Sequence, residues 1–215
     1  MKKLMILLLV NVLLFACQTE PVKDKAPSDI DLIKACYQKY KDGILQKNGA
    51  EVLAQVSTKT LDFYGQLLRY AKGADSTAIA ESGLTEKFTI LMTRQRMDTQ
   101  ELVNMSNKRY FTYIIENGMI GKSSVEGVEL GALFVEGNTA KGDMVIDGKA
   151  QKYKYQFVKE EEGWKIDLIN LMTIASDGLK AEILQSPFDE YEHLYKLLQI
   201  MTRQPLKEDI WEPRI

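Results

Sequence analysis

Two tyrosines and an asparagine in the second half of the chain are the residues best suited to hold a small molecule. Tyr153 and Tyr155 alternate with lysines, so both hydroxyls lie on one face of a predicted strand. Asn170 shares the inner face of the next predicted strand with Trp164 and Ile166. At the wall of an apolar pocket, hydroxyl and amide groups would orient a ligand through hydrogen bonds. The alternative is structural: core tyrosines whose hydroxyls reach outward, and an amide that bonds the backbone at a strand bend.

No group of residues has the spacing of a catalytic or metal-binding set. His193 is the only histidine, and it lies off the apolar stripe of its predicted helix, so we expect it at the surface. Cys36 lies on such a stripe and is interpreted as a small core residue. Residues 121–124, GKSS, end like a phosphate-binding loop, but Glu116 replaces the glycine that the motif requires. The sequence therefore predicts no catalytic residue, no metal ligand and no cofactor.

The segment PLKEDIWEPRI, residues 205–215, contains the apolar side chains Ile210, Trp211 and Ile215. These residues either pack back onto the domain or offer an exposed anchor to a partner. Tryptophan is frequent among the residues that dominate the binding energy of protein interfaces. Trp211 is therefore the candidate partner-binding residue.

The chain begins with a basic start and an apolar run over residues 4–15 that only Asn11 interrupts. This run is shorter than the roughly 20 residues of a transmembrane helix, and the pattern is typical of a secretory signal peptide. Residues 14–17, LFAC, resemble the lipobox of bacterial lipoproteins, in which a signal peptidase cuts before a lipid-modified cysteine. The resemblance implies a signal peptide over residues 1–16 and a diacylglyceryl thioether on Cys17. The alternatives are an ordinary secreted protein and a retained signal anchor.

Residues 17–28 are predicted to form a polar tether, and residues 29–215 to form a single domain. Pro21 and Pro27 disfavour regular secondary structure in the tether. Two or more acyl chains on Cys17 would anchor the chain stably to a membrane of the bacterial cell envelope, with the domain outside the cytoplasm. The tether reaches at most roughly 35 Å, so we expect the domain to lie close to the membrane surface.

The composition is that of a chain able to fold around a full core. Hydrophobic residues make up 45% and charged residues 27%, which is ordinary for a globular domain. The net charge of −2 becomes −4 when Lys2 and Lys3 leave with the signal peptide. A nucleic-acid partner requires a basic face, so we expect none. With Cys17 lipidated, Cys36 has no second cysteine to pair with, and packing must stabilise the fold.

The first half of the chain carries apolar residues at the spacing of amphipathic helices. Ser28 and Asp31 form a capping box before the first helix, and Asn48 with Gly49 is predicted to end it. Ser57 is expected to cap a further helix. The apolar stripes run through Ile33, Cys36, Tyr37, Tyr40 and Ile44; Leu61, Tyr64, Leu67, Leu68 and Ala71; Leu84, Phe88, Leu91 and Met92; and Tyr110, Phe111, Ile114 and Ile115.

From residue 128 the pattern changes to an alternation of apolar and polar residues. Turn signals recur at 136–138, 147–148 and 160–163, and Asp-Gly between two alternating runs is a strong hairpin signal. A C-terminal helix is predicted next, with Phe188, Tyr191, Tyr195, Leu198 and Met201 on one stripe. The predicted class is α+β, with N-terminal helices packed on a curved antiparallel sheet of about four strands and a C-terminal helix.

The helices followed by a meander ending in KYKYQFVKEEEGWKIDL, residues 152–168, resemble the nuclear-transport-factor-like superfamily. In that family a curved sheet wraps helices into a cone. The resemblance covers residues 128–171 and, more weakly, the helices between residues 29 and 72. It implies a concave sheet face able to hold a ligand or a partner. Steroid isomerases, polyketide cyclases and dehydratases use that face for acid and base chemistry, whereas many secreted relatives only bind.

These patterns favour a membrane-anchored envelope lipoprotein whose domain is a non-enzymatic binding or interaction module. Its expected partners are the membrane, through Cys17, and either a small apolar ligand in a cone-shaped cavity or an envelope protein. The alternative is a small cone-fold enzyme of isomerase, cyclase or dehydratase type, which would need a titratable group with a shifted pKa inside the cavity. A third interpretation is an assembly lipoprotein that acts through Trp211 and the last helix.

Overall fold

Nine α-helices and four β-strands make up residues 26–215, the part of the chain that the computed structural model describes. The predicted α+β class is confirmed, whereas the predicted signal peptide, Cys17 and most of the tether lie outside the described residues. The elements are α1 (Asp29–Gln46), α2 (Gly49–Gln55), α3 (Thr58–Gly73), α4 (Ser76–Glu81), α5 (Leu84–Arg96), α6 (Thr99–Asn104), α7 (Asn107–Glu116), β1 (Val128–Glu136), β2 (Thr139–Ile146), β3 (Lys149–Glu160), β4 (Gly163–Asp167), α8 (Ile169–Gln185) and α9 (Glu190–Thr202). Within residues 26–215, no helix combines the length and the apolar character needed to cross a bilayer.

Helix α1 contacts both edge strands of the sheet, β1 and β4. Its predicted capping box is present, since Ser28 Oγ accepts a hydrogen bond from the Asp31 N–H and the Asp31 carboxylate accepts one from the Ser28 N–H. The predicted apolar stripe of this helix is buried. The Tyr37 hydroxyl donates to the Val128 carbonyl at 3.1 Å, and its ring centroid lies 4.9 Å from that of Tyr155. Helix α1 therefore covers the inner face of the sheet.

The end of α1 differs from the prediction. Lys47, with φ of 55°, takes the left-handed position, and the Asn48 side chain accepts a hydrogen bond from a backbone N–H in the first turn of α2. Gly49 is therefore a helical residue of α2, and the prediction that it ends α1 is wrong. A Cβ atom at Gly49 would lie 2.7 Å from the carbonyl oxygen of Thr112, so the glycine lets α2 approach α7 closely.

The four strands form one antiparallel sheet in the order β1–β2–β3–β4, which confirms the predicted meander. Asp147 and Gly148 have φ values of 50° and 71°, the positive angles of a type I′ hairpin turn. The outer edge of β4 is partly covered, because the Ser57 N–H donates to the Ile166 carbonyl at 2.9 Å. Tyr155 points into the core from β3, as predicted.

The last strand is shorter than predicted. Strand β4 ends at Asp167, and Asn170 lies in the first turn of α8, so the prediction that Asn170 belongs to the strand is wrong. Leu168 has helical backbone angles, and its N–H donates to Thr60 Oγ1 at 2.9 Å instead of to a neighbouring strand. The Asp167 carboxylate accepts a hydrogen bond from the Ile169 N–H, which turns the chain into α8. Helix α8 was not predicted, whereas α9 is the predicted C-terminal helix.

A buried arginine joins the helical half of the domain to the segment after α9. The Arg94 guanidinium donates to the carbonyls of Tyr70, Ala71 and Ala74 near the end of α3, and to the carbonyl of Ile210 at 3.3 Å. Burial lowers the pKa of Arg94 to about 10, so the group stays charged at neutral pH. A buried charge is tolerated only when it is well hydrogen-bonded, and these four hydrogen bonds satisfy the guanidinium. They also connect the end of α3 to the segment around Ile210.

Candidate functional site

A cavity of about 550 Å³ lies among α5, α8 and α9, with its inner end closed by residues of α1, α3 and α7. Its volume falls within the roughly 300–1,000 Å³ typical of ligand pockets. The inner residues are buried and mostly apolar: Tyr40, Tyr64, Met92, Ile114 and Leu168. The outer residues are exposed and form the rim: Ser123, Ser124, Ala175, Glu182 and Met201. The cavity is therefore an apolar space that is partly open to solvent.

Helix α8 forms one wall of the cavity, although none of the residues within this helix is fully buried. The residues that line the cavity recur at helical spacing: Leu171, Met172, Ala175, Leu179 and Glu182. Two polar contacts hold the helix to β3, because the Tyr153 hydroxyl donates to Asp177 at 2.9 Å and the Asn170 amide donates to the Lys154 carbonyl at 2.5 Å. Because none of its residues is fully buried and five of them line the cavity, the inward side of α8 covers the cavity instead of a packed core.

Helix α5 forms a second wall through Thr85, Phe88, Thr89 and Met92, which lie on one face of the helix. Lys87 lies on another face and is 5% exposed, and its ammonium pairs with Glu190 of α9 at 2.5 Å. The Lys87 side chain is 6% exposed and the Glu190 side chain 41%, so only the lysine end of the pair is buried. The ion pair therefore holds α9 against α5 beside the cavity.

Tyr40 and Tyr64 form the floor of the cavity and are 1% and 4% exposed. Burial raises the pKa of both phenols above the ordinary value, because an apolar environment disfavours the charged phenolate. The Tyr64 hydroxyl also lies 3.7 Å from the Met172 sulfur of α8, a weak hydrogen bond. Both hydroxyls are neutral at physiological pH, and any chemistry at the floor would start from the uncharged phenol.

Two threonines of α5, one helical turn apart, differ in their hydrogen bonds. Thr89 Oγ1 donates to the Thr85 carbonyl at 2.8 Å. Thr85 Oγ1 is buried and has no hydrogen-bond partner within residues 26–215. Among the described residues that line the cavity, Glu182 is the one with a formal charge, and it lies at the exposed rim. None of these described lining residues is cationic, and the unpaired hydroxyl of Thr85 is covered by neighbouring atoms.

The predicted ligand-binding candidates Tyr153, Tyr155 and Asn170 lie outside this cavity. Tyr155 is buried under α1, where its hydroxyl lies 3.4 Å from that of Tyr37. Tyr153 and Asn170 lie near each other along β3 and α8, where both hold α8 in place. Tyr155 is thus separated from the other two residues by its burial in the core, and the predicted role of all three in ligand binding stays a prediction.

Trp211 packs onto α9, which is the first of the two alternatives considered for the segment 205–215. Its indole N–H donates to the Tyr195 hydroxyl at 2.7 Å, and its ring lies edge-on to Tyr191 with the centroids 5.6 Å apart. The indole is half-buried and borders a shallow groove beside α4. A role for Trp211 in partner binding stays a prediction.

The cysteine and the histidine have different environments. Cys36 is 5% exposed, which confirms its interpretation as a small core residue, and burial raises the pKa of its thiol to about 11. His193 was expected at the surface, and it is half-buried with an enclosed Nε2 atom. Within residues 26–215, no cluster of three or more histidine, cysteine or acidic side chains is arranged to hold a metal ion.

Sequence reasoning missed the cavity, although two signals pointed to it. Four lining residues are methionines, which are flexible and common at adaptable apolar surfaces: Met92, Met119, Met172 and Met201. The stretch that forms α8, INLMTIASDGLKAEILQ, contains more apolar residues than one buried stripe requires. The GKSS segment, excluded as a phosphate-binding loop, contributes Gly121, Ser123 and Ser124 to the lining.

Comparison with known proteins found no matching family model, no similar curated protein and no similar solved structure.

Proposed function

We propose that this protein is a lipoprotein of the bacterial cell envelope, anchored through Cys17, whose domain binds a small apolar ligand in the cavity among α5, α8 and α9. The observation that carries the binding role is the cavity, with its volume of about 550 Å³ and its apolar walls. Small-molecule sites are typically concave, mostly apolar clefts of this volume. A space of this size beneath an apolar helix is better explained by ligand binding than by packing.

Helix α8 adds to the argument for the binding role. Its residues Leu171, Met172 and Leu179 are half-buried and line the cavity instead of a packed core. Burial of apolar surface contributes roughly 25 cal/mol per Å², so a ligand that fills the cavity gains affinity from α8 and α5 together. The same contact would stabilise α8 against the domain.

The resemblance to the nuclear-transport-factor-like cone supports the proposal in a modified form. Helices cover one face of a four-stranded antiparallel sheet, as that fold requires. Tyr155 and Phe157, however, are 1% and 2% exposed and fill the inner face of the sheet. We therefore place the ligand between helices and not against the strands.

The binding role is tested with an uncharged apolar dye, Nile Red, and with native mass spectrometry of the purified protein. Ala175 lines the cavity, whereas Ala181 is exposed on the same helix and does not. Ala175→Phe adds a ring at the rim and should weaken dye binding about tenfold, because the ring narrows the entrance to the cavity. Ala181→Phe adds the same ring outside the cavity and should leave binding unchanged. Equal binding by the two variants, or no binding by the unmodified chain, would refute the proposal.

The lipid anchor is tested separately by feeding expressing cells radiolabelled palmitate. We expect label on the unmodified chain and none on a Cys17→Ser variant, because the thioether requires the cysteine sulfur. Label on both chains, or on neither, would contradict the proposed anchor but would leave the cavity experiment unaffected.

A further inference from the structure

The shallow groove between α4 and α9, here called the aromatic groove, brings three aromatic side chains together. Its volume is about 530 Å³, and it is lined by Tyr191 and Tyr195 of α9, by Trp211 and by four residues of α4. None of the described residues that line the aromatic groove also lines the cavity among α5, α8 and α9. The groove is therefore a separate candidate site.

The three rings of the groove meet at steep angles instead of stacking. The Trp211 ring is inclined by 67° to that of Tyr191 and by 76° to that of Tyr195, with centroids 5.6 Å and 6.5 Å apart. The indole N–H donates to the Tyr195 hydroxyl at 2.7 Å, so this donor is already satisfied within the protein. What the indole has left to offer a ligand is its ring face, which attracts cations more strongly than any other aromatic side chain.

The charges of the groove favour a cation. Glu81 lines the groove, is exposed and forms no ion pair within residues 26–215. None of the described lining residues is basic. The nearby ammonium of Lys87 lies 5.2 Å from the Tyr191 ring centroid, but it is paired with Glu190 at 2.5 Å and does not line the groove. The lining therefore combines three aromatic rings with one unbalanced negative charge.

This combination suits a quaternary ammonium group better than a primary amine. A primary ammonium is strongly hydrated and has three N–H donors to satisfy, whereas a trimethylammonium group has no donor and packs its methyl groups against ring faces. The remaining lining residues, Ser76, Thr77 and Ala80, are small and offer no aliphatic surface to an acyl chain. The lining therefore favours a soluble compound over a lipid.

We infer that the aromatic groove binds a small, soluble quaternary ammonium compound of the choline type. Its trimethylammonium group lies against Tyr191 and Trp211, and Glu81 balances its charge. This inference goes beyond the proposed function and does not depend on the cavity.

The test is isothermal titration calorimetry of the purified protein at low ionic strength with choline and with its uncharged carbon isostere, 3,3-dimethylbutanol. Choline should bind about fivefold or more tightly, because the two molecules have the same shape and differ in charge. Tyr191→Leu keeps an apolar side chain without the ring and should weaken choline binding about two- to fivefold. Phe134→Leu is the matched control, because Phe134 is 67% exposed on β1 and does not line the groove.

A second pair of variants tests the charge. Glu81→Gln should weaken choline binding about two- to threefold, and the loss should disappear at high salt, which screens exposed charges. Glu136→Gln removes an exposed carboxylate outside the groove and should leave binding unchanged. Because Glu81 is exposed, this pair tests the inference even if Tyr191→Leu unfolds, which a thermal melt of each variant would reveal.

The outcomes separate this inference from the proposed function. Equal affinities for choline and 3,3-dimethylbutanol, or no binding of choline, would overturn the inference. Binding to phosphatidylcholine vesicles without binding of free choline would also overturn it, because the inferred ligand is soluble. Nile Red binding should be the same with and without saturating choline, so each of these results leaves the cavity proposal intact.

Discussion

The inner face of the sheet and the cavity use similar residue types but are packed in opposite ways. Under α1, the rings of Tyr37 and Tyr155 lie 4.9 Å apart, and the Tyr37 hydroxyl reaches a backbone carbonyl. In the cavity, Tyr40 and Tyr64 border an open space, and Thr85 Oγ1 has no hydrogen-bond partner among residues 26–215. Apolar content alone therefore does not distinguish a closed core from a binding site. The distinction depends on whether the covering helix packs fully, as α1 does and α8 does not.

The largest expected effect is on the sheet side. Tyr155→Ala removes a ring that is 1% exposed and should lower the free energy of unfolding by about 3–5 kcal/mol. Leu179→Ala, on the cavity wall, should cost less than about 1.5 kcal/mol, because its side chain is only half-buried. Urea denaturation of both variants measures the contrast. Equal losses would mean that the two regions are packed equally well.

The close packing of α2 against α7 contrasts with the open space beside α8. Gly49→Ala would place a Cβ atom 2.7 Å from the Thr112 carbonyl oxygen. We expect a loss of about 1–3 kcal/mol, since α2 and α7 must move apart. Thermal unfolding followed by circular dichroism measures the loss. An unchanged melting temperature would show that the packed side accommodates an added methyl group.

The stability of the protein at alkaline pH tests whether solvent reaches Tyr40 at the floor of the cavity. Burial raises the pKa of Tyr40 in the folded protein, whereas in the unfolded chain the phenol ionises near its ordinary value. The stabilisation is therefore complete below about pH 10 and is lost as the pH rises towards the folded pKa, by about 1.4 kcal/mol per pH unit for each such tyrosine. Urea denaturation at pH 10 and pH 11 should give a smaller decrease for Tyr40→Phe than for the unmodified chain.

The control for this experiment is Tyr191→Phe, since Tyr191 is 41% exposed and lies outside the cavity. It should retain the pH dependence of the unmodified chain. If Tyr40→Phe also retained it, solvent in the cavity would be reaching the phenol, and the floor would not be a dry surface.

The smallest expected effect has the opposite sign. Gly178 lies inside α8, and a Cβ atom there would meet no other atom within 4 Å. Gly178→Ala should stabilise the protein by about 0.5–1 kcal/mol, because alanine favours the helix without any clash. The same thermal measurement as for Gly49→Ala applies. A destabilised Gly178→Ala variant would show that α8 is packed as closely as α2.

Local signals in the sequence were sufficient for most of the fold. The capping box of Ser28, the helical stripe that follows it and the Asp147-Gly148 turn each depend on neighbouring residues, and each is confirmed. Asn48 and Gly49 were misinterpreted because a left-handed Lys47 and the close approach of α7 are not visible in local sequence. The turn at Asp167 was missed because it depends on Thr60, which is distant in the chain.

The cavity was harder to predict than the fold. Its lining comes from α1, α3, α5, α7, α8 and α9, so no single stretch of sequence contains its pattern. The candidates Tyr153 and Asn170 were identified as chemically capable residues, but their hydrogen bonds go to Asp177 and Lys154.

The contact between Arg94 and Ile210 has a consequence for the order in which this protein folds. The two residues are 116 positions apart, and the arginine is also bonded to the end of α3. A chain synthesised from its N-terminus completes α3 and α5 long before residue 210 emerges from the ribosome. Until then the guanidinium can bond the carbonyls at the end of α3 but lacks its fourth carbonyl partner, Ile210. The contact with Ile210 therefore forms after its partners in α3 and α5 have been synthesised.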